Sequence, residues 1–533
     1  MLSRAAAAMR AGVSSGVRGG RLPPLAATVA PSHPALSGRV HTRRMSSSPP
    51  PIRYRSTRGG QSGLSFSEAV LQGLASDRGL FVPEVVPRLP PGAPEVWRGL
   101  SFEALAFEVM SLYIDRSEVD AAALKDIIAR SYSTFRHPEV TPVHPITDGM
   151  HTLELFHGPT FAFKDVALQF LGNLFEHLLA QRPGRLITVL GATSGDTGSS
   201  AIQGLRGKKG VECFIMYPDG RTSRTQELQM ITITDPNIHN IAVGGTFDDC
   251  QAIVKASFND HAFRDKHSLA AVNSINWARI LAQQVYYIYA YLKVTQPPAA
   301  GAPPPKVSFS VPTGNFGDIL AGYYAKRMGL PVDQLIVATN SNDILHRFFT
   351  AADYSVDRKG VTETISPSMD IGVSSNFERF LFHMTGDDAT QMAELMAGFE
   401  ATSRLAATDA LVAACRAEMT SARVEDSEVL ATIADVHSRA AGYTLDPHSA
   451  IGVAAARKVG AAPGVPMVCL ACAHWAKFPD ANRAALGEEA ASALVVPEEL
   501  ASLSKLPARV SQQPNSAKVV QAYIEKTLAE RVG

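Results

Sequence analysis

Acidic residues are absent from the first 67 of the 533 residues, and the first one is Glu68. An acid-free, arginine-bearing leader without an apolar core is typical of organellar transit peptides rather than secretory signals. We therefore predict a disordered transit leader over residues 1–45 that directs the protein to the mitochondrion. A plastid or cytoplasmic location, or a merely disordered tail, are the alternatives. The arginines of this leader are Arg4, Arg10, Arg18, Arg21, Arg39, Arg43 and Arg44.

Long hydrophobic runs and an excess of charge are also missing. No apolar run approaches the roughly 18 residues that a membrane-spanning helix needs. The chain has 50 basic and 50 acidic residues, without a basic tract beyond the leader, so neither a membrane nor a nucleic acid is an expected partner. With 46% hydrophobic and 19% charged residues, the composition is that of a globular protein with more than one core. Small molecules are the expected partners.

Cysteine is scarce, and its five positions form no disulfide framework. Cys469 and Cys472 make a C-x-x-C, but they lie in the apolar, β-like run MVCLACAH with no second cysteine pair nearby. Zinc and redox sites are therefore disfavoured, and packing, or a ligand role for one of the two cysteines, is favoured. No metal site is expected.

Short apolar runs alternate with helical patterns through most of the chain. Strands are predicted at 186–190, 211–218, 306–311, 335–339 and 467–473, and Gly-rich loops follow the first and third of them. This alternation predicts an α/β fold with mainly parallel sheets flanked by helices, in which ligands bind beyond the carboxyl ends of the strands. We predict an N-terminal mixed helical domain at 46–145 and a catalytic region of two α/β subdomains at 146–533.

Helical patterns mark three further segments. SFEALAFEVMSLYI predicts a helix capped by Ser101, and a second helix is predicted at 274–292. The Pro-rich stretch 297–305 is predicted to be a linker. The long helical span 394–442 is predicted to be an insertion or a cap.

The segment HGPTFAFKDVALQF places Lys164 among apolar residues. Because burial disfavours an ammonium group, such a lysine is suited to be a nucleophilic amine. The loop PTGNFGD places Gly314 and Gly317 at a helix start, which favours anion binding, although a tight structural turn is about as probable for each glycine loop alone. A desolvated lysine beside two such loops suits pyridoxal phosphate (PLP), a phosphorylated aldehyde that forms a Schiff base with lysine.

Many motifs of the chain together resemble the threonine synthase family of PLP enzymes, closest to its longer, fungal-type members. The resemblance runs from YRSTRG at Tyr54 to beyond Leu500 through HGPTFAFKDVALQF, GATSGDTGSSAIQGLRGKK, AVNSINWARILAQ, VPTGNFGDILAGYYAKRMGLP, LDPHSAIGV and AKFPDA. It implies fold type II, the fold of tryptophan synthase β, with the cofactor in a cleft between two open, twisted sheets.

The resemblance also implies roles for individual residues. Lys164 is expected to form the Schiff base and to shuttle protons, and Asp196 to lie near the phenolic oxygen of PLP. The cofactor phosphate is expected at Gly314, Asn315, Phe316 and Gly317, with Asp318 in the same loop. The substrate carboxylate is expected at Thr193, Ser194, Gly195 and Thr197, and the substrate phosphate at Ser274, Asn276 and Arg279. For Arg279, an ion-pairing or surface position is the alternative.

One departure from the family pattern affects the cofactor. Cys472 stands where the family commonly has a threonine whose hydroxyl meets the pyridine nitrogen, and a thiol is a weaker hydrogen-bond partner. The expected activity is conversion of O-phospho-L-homoserine and water to L-threonine and phosphate by γ-elimination and β-addition. The alternatives are a PLP-dependent phospho-lyase that gives 2-oxobutyrate and a non-catalytic PLP-binding protein. A monomer or a homodimer is expected.

Overall fold

Two mainly parallel sheets organise the protein, and the computed structural model describes them within residues 50–532, apart from residues 183, 300 and 358. The predicted transit leader lies outside the described residues. The strands, in chain order, are β1 (Tyr54–Ser56), β2 (Phe81–Pro83), β3 (Val143–Pro145), β4 (Met150–Glu154), β5 (Ile187–Ala192), β6 (Val211–Pro218), β7 (Ile238–Val243), β8 (Leu269–Ala270), β9 (Val307–Pro312), β10 (Val332–Thr339), β11 (Thr420–Arg423), β12 (Met467–Ala471) and β13 (Ser511–Gln513).

Helices surround these strands. They are α1 (Phe66–Gln72), α2 (Ala93–Trp97), α3 (Phe102–Met110), α4 (Ala121–Tyr132), α5 (Lys164–Ala180), α6 (Asp196–Leu205), α7 (Arg224–Ile231), α8 (Phe247–Asn259), α9 (His261–Lys266), α10 (Trp277–Val294), α11 (Gly317–Met328), α12 (Ile344–Ala351), α13 (Phe377–Met384), α14 (Ala389–Thr402), α15 (Asp409–Glu418), α16 (Asp426–Arg439), α17 (Pro447–Val459), α18 (Pro479–Leu486), α19 (Glu488–Ser492), α20 (Glu498–Ala501) and α21 (Ala517–Val532). Short 3₁₀ turns lie at Pro367–Met369, Trp475–Lys477 and Leu503–Lys505.

The larger sheet has six strands in the order β11-β10-β9-β12-β4-β3, and only the β3–β4 pair is antiparallel. The second sheet has five parallel strands in the order β13-β7-β6-β5-β8. All residues of β6, β9 and β12 are buried. Strands buried on both faces are continuous apolar runs, which is why the sequence pattern predicts them, and the expected α/β class is confirmed.

Most predicted elements lie where the sequence places them. Ser101 caps α3, since its hydroxyl accepts a hydrogen bond from the backbone N–H of Ala104 at 3.2 Å. The segment 394–442 is different, and its interpretation as an insertion or cap is wrong. It consists of part of α14, the whole of α15 and α16, and strand β11, which pairs with β10 and forms one edge of the larger sheet. The four-residue β11 is only partly buried, so no apolar run marks it.

The N-terminal segment and helix α10 share one core. The ring of Tyr54 lies 5.8 Å from that of Trp277, and the ring of Phe102 lies 5.5 Å from that of Tyr289. Residues from Pro51 onward form one compact unit, and the predicted division near residue 145 stays a prediction. Among the described residues, none of the helices combines the length and the apolar character that crossing a membrane requires.

Candidate active site

A cavity of about 1750 Å³ opens at the carboxyl ends of strands from both sheets. Its wall includes Ala192 at the end of β5, Pro312 at the end of β9 and Cys472 just after β12. In open parallel sheets this is the place where ligands bind. The predicted site residues that line it are Lys164, Asp196, Thr197, Ser274, Arg279, Gly314, Asn315, Phe316, Gly317, Asp318 and Cys472.

Lys164 begins helix α5 and is only 8% exposed. The preceding loop is tied to the end of β12, because Phe163 N–H donates to the Cys472 carbonyl at 2.7 Å and His474 N–H donates to the Phe161 carbonyl at 3.1 Å. Burial lowers the pKa of Lys164, and the positive charge of Lys477 lowers it further. The negative charge of Asp196 acts in the opposite direction and raises this pKa. The structure therefore favours a free amine at this position.

Asp196 is the first residue of helix α6 and faces Lys164 at an Nζ–Oδ2 distance of 3.9 Å. Its other oxygen, Oδ1, accepts hydrogen bonds from Lys477 Nζ at 2.6 Å and from Gln226 Nε2 at 2.8 Å. Burial alone would raise the pKa of Asp196, but the two neighbouring lysines, Lys477 above all, and the hydrogen bond from Gln226 outweigh burial and hold this pKa well below its ordinary value. Asp196 is therefore an ionised carboxylate on the cavity wall.

The hydroxyl of Thr193 binds backbone N–H groups at the start of helix α6. Thr193 Oγ1 accepts hydrogen bonds from Gly195 N–H at 2.9 Å and from Gly198 N–H at 2.8 Å, so the hydroxyl caps the helix. In the described structure Thr197 lines the cavity and Thr193, Ser194 and Gly195 do not, and the predicted contacts of these residues with a substrate carboxylate stay predictions. Short hydroxyl side chains commonly bind nearby backbone in this way.

The loop between β9 and α11 presents an uncapped helix start to the cavity. Phe316 occupies the N-cap position with φ of +63°, and among the described residues no side chain accepts a hydrogen bond from the first N–H groups of α11. Gly314 is closely approached, since a Cβ built on it would lie 3.2 Å from the Ser368 carbonyl oxygen. Free N–H groups at a helix N-terminus, next to a glycine that leaves room, form a site suited to a phosphate.

Asp318, one residue into α11, is held by two tyrosines of α10. Its Oδ1 accepts hydrogen bonds from Tyr286 Oη at 2.5 Å and from Tyr287 Oη at 2.9 Å, while the buried Oδ2 has no partner in the described structure. Burial raises the pKa of Asp318 to about 6, although the tyrosine hydroxyls oppose that rise. Asp318 therefore fixes the helix start and leaves one acceptor free beside the cavity.

Arg279 is buried at 3% exposure on the first turn of α10. One guanidinium nitrogen donates to the Val272 carbonyl at 3.0 Å, and Nε has no partner in the part of the chain that the structure describes. Burial lowers the pKa of Arg279 to about 10, and no carboxylate contributes to that value. The alternative of a surface or ion-pairing arginine is therefore wrong, and Arg279 offers an uncompensated positive charge to the cavity.

The two neighbours of Arg279 in the NSINWAR segment differ from each other. Ser274 lines the cavity, and its hydroxyl lies 3.3 Å from that of Ser375. Asn276 is fully buried and caps α10: Oδ1 accepts from Ala278 N–H at 3.1 Å, and Nδ2 donates to the Val70 carbonyl at 3.0 Å. Asn276 is not part of the cavity lining in the described structure, and its predicted contact with the substrate stays a prediction.

Cys472 reaches the cavity as a neutral thiol. Burial, together with nearby Asp318 and Asp446, raises the pKa of Cys472 well above its ordinary value. The thiol has only a weak contact, at 3.9 Å, with the Leu470 carbonyl oxygen. The position therefore retains a weak hydrogen-bonding group.

Three residues near the site were missed by sequence reasoning: Gln226, His448 and Lys477. His448 lines the cavity, and its Nε2 accepts from Ser368 N–H at 3.1 Å. Lys477 lies in the AKFPDA motif, and this position was the only sequence signal for a role at the site. A single lysine before a helix is ordinarily a surface residue, so the signal is weak. Its contact with Asp196 depends on the fold.

The described residues fit PLP. Lys164 supplies a buried amine for the aldehyde, and the uncapped start of α11 supplies donors for the phosphate. Cys472 and the free oxygen of Asp318 add polar atoms to the same cavity.

Known families and structures match nearly all of the described chain. Three family models match: "Threonine synthase N terminus" at residues 53–132, "Pyridoxal-phosphate dependent enzyme" at 152–423 and "Threonine synthase, C-terminal" at 449–524. Threonine synthase of Schizosaccharomyces pombe is 50% identical over 464 residues, covering 82% of this chain and 89% of that protein.

Two solved structures agree with this match. The PLP-bound threonine synthase of Brucella melitensis is 45% identical with a TM-score of 0.83, covering 89% of this chain and 99% of its own. Yeast threonine synthase is 44% identical with a TM-score of 0.82, covering 90% and 99%. The match extends over the N-terminal, PLP-binding and C-terminal regions, and the resemblance found in the motifs is confirmed. The chain belongs to the threonine synthase family of PLP-dependent enzymes.

Proposed function

We propose that this protein converts O-phospho-L-homoserine and water into L-threonine and phosphate, the last step of threonine biosynthesis. One observation carries the proposal: Lys164, a buried lysine whose pKa burial lowers, shares a cavity with an uncompensated buried cation, Arg279. The amine suits a PLP enzyme, and the cation suits a substrate that carries a phosphate of its own.

Residues around the cavity would hold PLP at both ends. Lys164 binds its aldehyde carbon, and the backbone of Gly314, Asn315, Phe316 and Gly317 binds its phosphate at the start of α11. The Cys472 thiol would meet the pyridine nitrogen. Bound PLP supplies an electron sink for carbanions formed next to the substrate's amino group.

The substrate would lie between Lys164 and Arg279. Arg279 and Ser274 bind its phosphate, and Thr197 with the backbone around it binds its carboxylate. With PLP bound, the Lys164 amine would take protons from Cα and Cβ and return protons to Cγ and Cα. Phosphate would leave from Cγ, and water would add its hydroxyl at Cβ while its proton balances the charge of the departing phosphate.

Two alternatives predict different products from the same substrate. A phospho-lyase releases phosphate with 2-oxobutyrate and ammonia, and a PLP-binding protein without turnover releases nothing. Arg279 argues against the second, because burying a charge without a ligand to meet is costly.

The test is to incubate the purified PLP-loaded chain, without residues 1–45, with O-phospho-L-homoserine and to quantify phosphate, threonine and 2-oxobutyrate together. Equal phosphate and threonine is the expected result. Phosphate with 2-oxobutyrate would establish the lyase, and no product would establish the binding protein. Lys164→Ala is expected to abolish both turnover and the visible absorbance of lysine-bound PLP, while the surface variant Lys458→Met is expected to retain both.

Two further properties are also proposals. Residues 1–45 direct the chain to the mitochondrion, which a fluorescent fusion of these residues tests by co-localisation. A monomer or homodimer is tested by the mass of the purified chain in sedimentation.

A further inference from the structure

Lys477 is a fully buried lysine next to the cavity but outside its lining. Its Nζ lies 2.6 Å from Asp196 Oδ1 and donates to the Thr160 carbonyl at 2.8 Å. Lys477 lies in the 3₁₀ turn that follows β12, whereas Asp196 begins α6 behind β5. The pair therefore joins a segment after the larger sheet to the helix start that carries Asp196.

The two oxygens of Asp196 have different surroundings. Lys477 and Gln226 both donate to Oδ1, while Oδ2 faces Lys164 at the longer distance of 3.9 Å. One buried carboxylate thus stands between two lysines. Because burial penalises net charge, one of the two lysines is best accommodated without its proton.

Geometry decides which of the two lysines pairs with Asp196. Lys477 has a carboxylate and a carbonyl as acceptors at hydrogen-bond distance, whereas Lys164 has only the more distant Oδ2 and the ring of Phe163 at 4.8 Å. Short hydrogen bonds therefore pair Lys477, rather than Lys164, with Asp196. Lys164 is left to be the free amine.

Other charged groups near the two lysines do not reverse this arrangement. Arg279 adds positive charge, Asp318 is ionised only above about pH 6, and Cys472 is a neutral thiol. On the side of Lys477, Asp165 is bound by the hydroxyl and N–H of Thr160, and burial raises its pKa.

We propose that Lys477 is a positioning residue: it binds the Asp196 carboxylate and so keeps Lys164 as a free amine that can capture PLP. The inference depends on the PLP chemistry of the proposed function but not on the identity of the substrate. An experiment that measures cofactor capture therefore separates the two: capture is followed without any amino-acid substrate.

The experiment frees the full chain of PLP with hydroxylamine, adds PLP back, and follows the visible absorbance of lysine-bound PLP from about pH 6 to pH 10. Borohydride reduction and peptide mapping check that the adduct is at Lys164. In Lys477→Met, Asp196 is free to pair with Lys164, so the pH midpoint of capture is expected to rise by about 1–3 pH units. Lys477→Arg, which keeps the charge, is expected to stay near the original midpoint.

Two controls separate this role from a merely structural one. Lys458→Met removes a surface lysine and is expected to leave the midpoint unchanged. In Asp196→Asn/Lys477→Met both charges are gone, so the upward shift is expected to disappear. A folded Lys477→Met protein with an unshifted midpoint would overturn the proposal. If Lys477→Met alone does not fold, a raised pH midpoint of PLP capture in Asp196→Asn/Lys477→Met would also overturn the proposal.

Discussion

Helices α5 and α6 cross with their backbones in contact, and this contact makes a quantitative prediction. A Cβ built on Gly172 of α5 would lie 2.7 Å from the carbonyl carbon of Gly204 in α6, and a Cβ on Gly204 would lie 2.9 Å from that of Leu168. Ordinary contacts begin at 3.4 Å, so Gly172→Ala must move the helices apart by at least about 0.7 Å. The atoms in the way are backbone and cannot rotate aside.

The free-energy change follows from two opposing effects. Overpacking of a rigid contact costs about 3 kcal/mol. Alanine gains about 1 kcal/mol over glycine in helix propensity. We therefore expect Gly172→Ala to lower the free energy of unfolding by about 2 kcal/mol, measured by urea unfolding of the PLP-free chain.

Gly398 provides the matched control. It lies exposed within helix α14 with nothing within 4 Å of a built Cβ, so Gly398→Ala is expected to raise the free energy of unfolding by about 0.5–1 kcal/mol. If Gly172→Ala were as stable as the parent chain, the close crossing of α5 and α6 would be refuted.

Three more predictions concern the cavity. The pKa of Asp318, about 6 in the folded chain, exceeds its ordinary value of 3.8, so the folded state holds a proton that the unfolded chain has lost. Stability is therefore expected to fall by up to about 3 kcal/mol as pH rises through that window, and Asp318→Asn should remove this slope in urea unfolding of the PLP-free chain. Arg279→Met is expected to raise KM for the phosphorylated substrate about 10–100-fold, with the exposed Arg224→Met unchanged; equal KM values would contradict the role of Arg279. Cys472→Ser should tighten PLP binding by about 0.5–1.5 kcal/mol in equilibrium titration, and weaker binding would count against a hydrogen-bonding role there.

The elements that position the site were predictable because their sequence signals are local. The buried strand β6 is an unbroken apolar run, and the observed bounds Val211–Pro218 equal the predicted ones. The start of α11 was predictable for a related reason, since Gly314 and Gly317 directly follow a buried strand. Lys164 was identifiable from its apolar neighbours alone.

The remaining features depend on contacts that local sequence does not encode. Thr193 and Asn276 carry groups that suit a substrate, yet both use them to cap the helices beside them. Lys477 lies more than 300 residues after Lys164 and reaches Asp196 only because β12 inserts between β9 and β4. Sequence spacing gives no measure of such a contact.

The place of β12 in the larger sheet has a consequence for the order of synthesis and folding. Met467 of β12 pairs with Met150 of β4, more than 300 residues earlier, and the same strand also pairs with β9. During translation, the edges of β4 and β9 that face β12 therefore stay unpaired until β12, Met467–Ala471 of the 533 residues, has emerged. Exposed edges of this kind invite pairing with other chains, so a polypeptide that stops before β12 is expected to aggregate rather than to persist as a partly active fragment. Completion of the catalytic cavity and protection of the sheet thus occur in the same late step of folding.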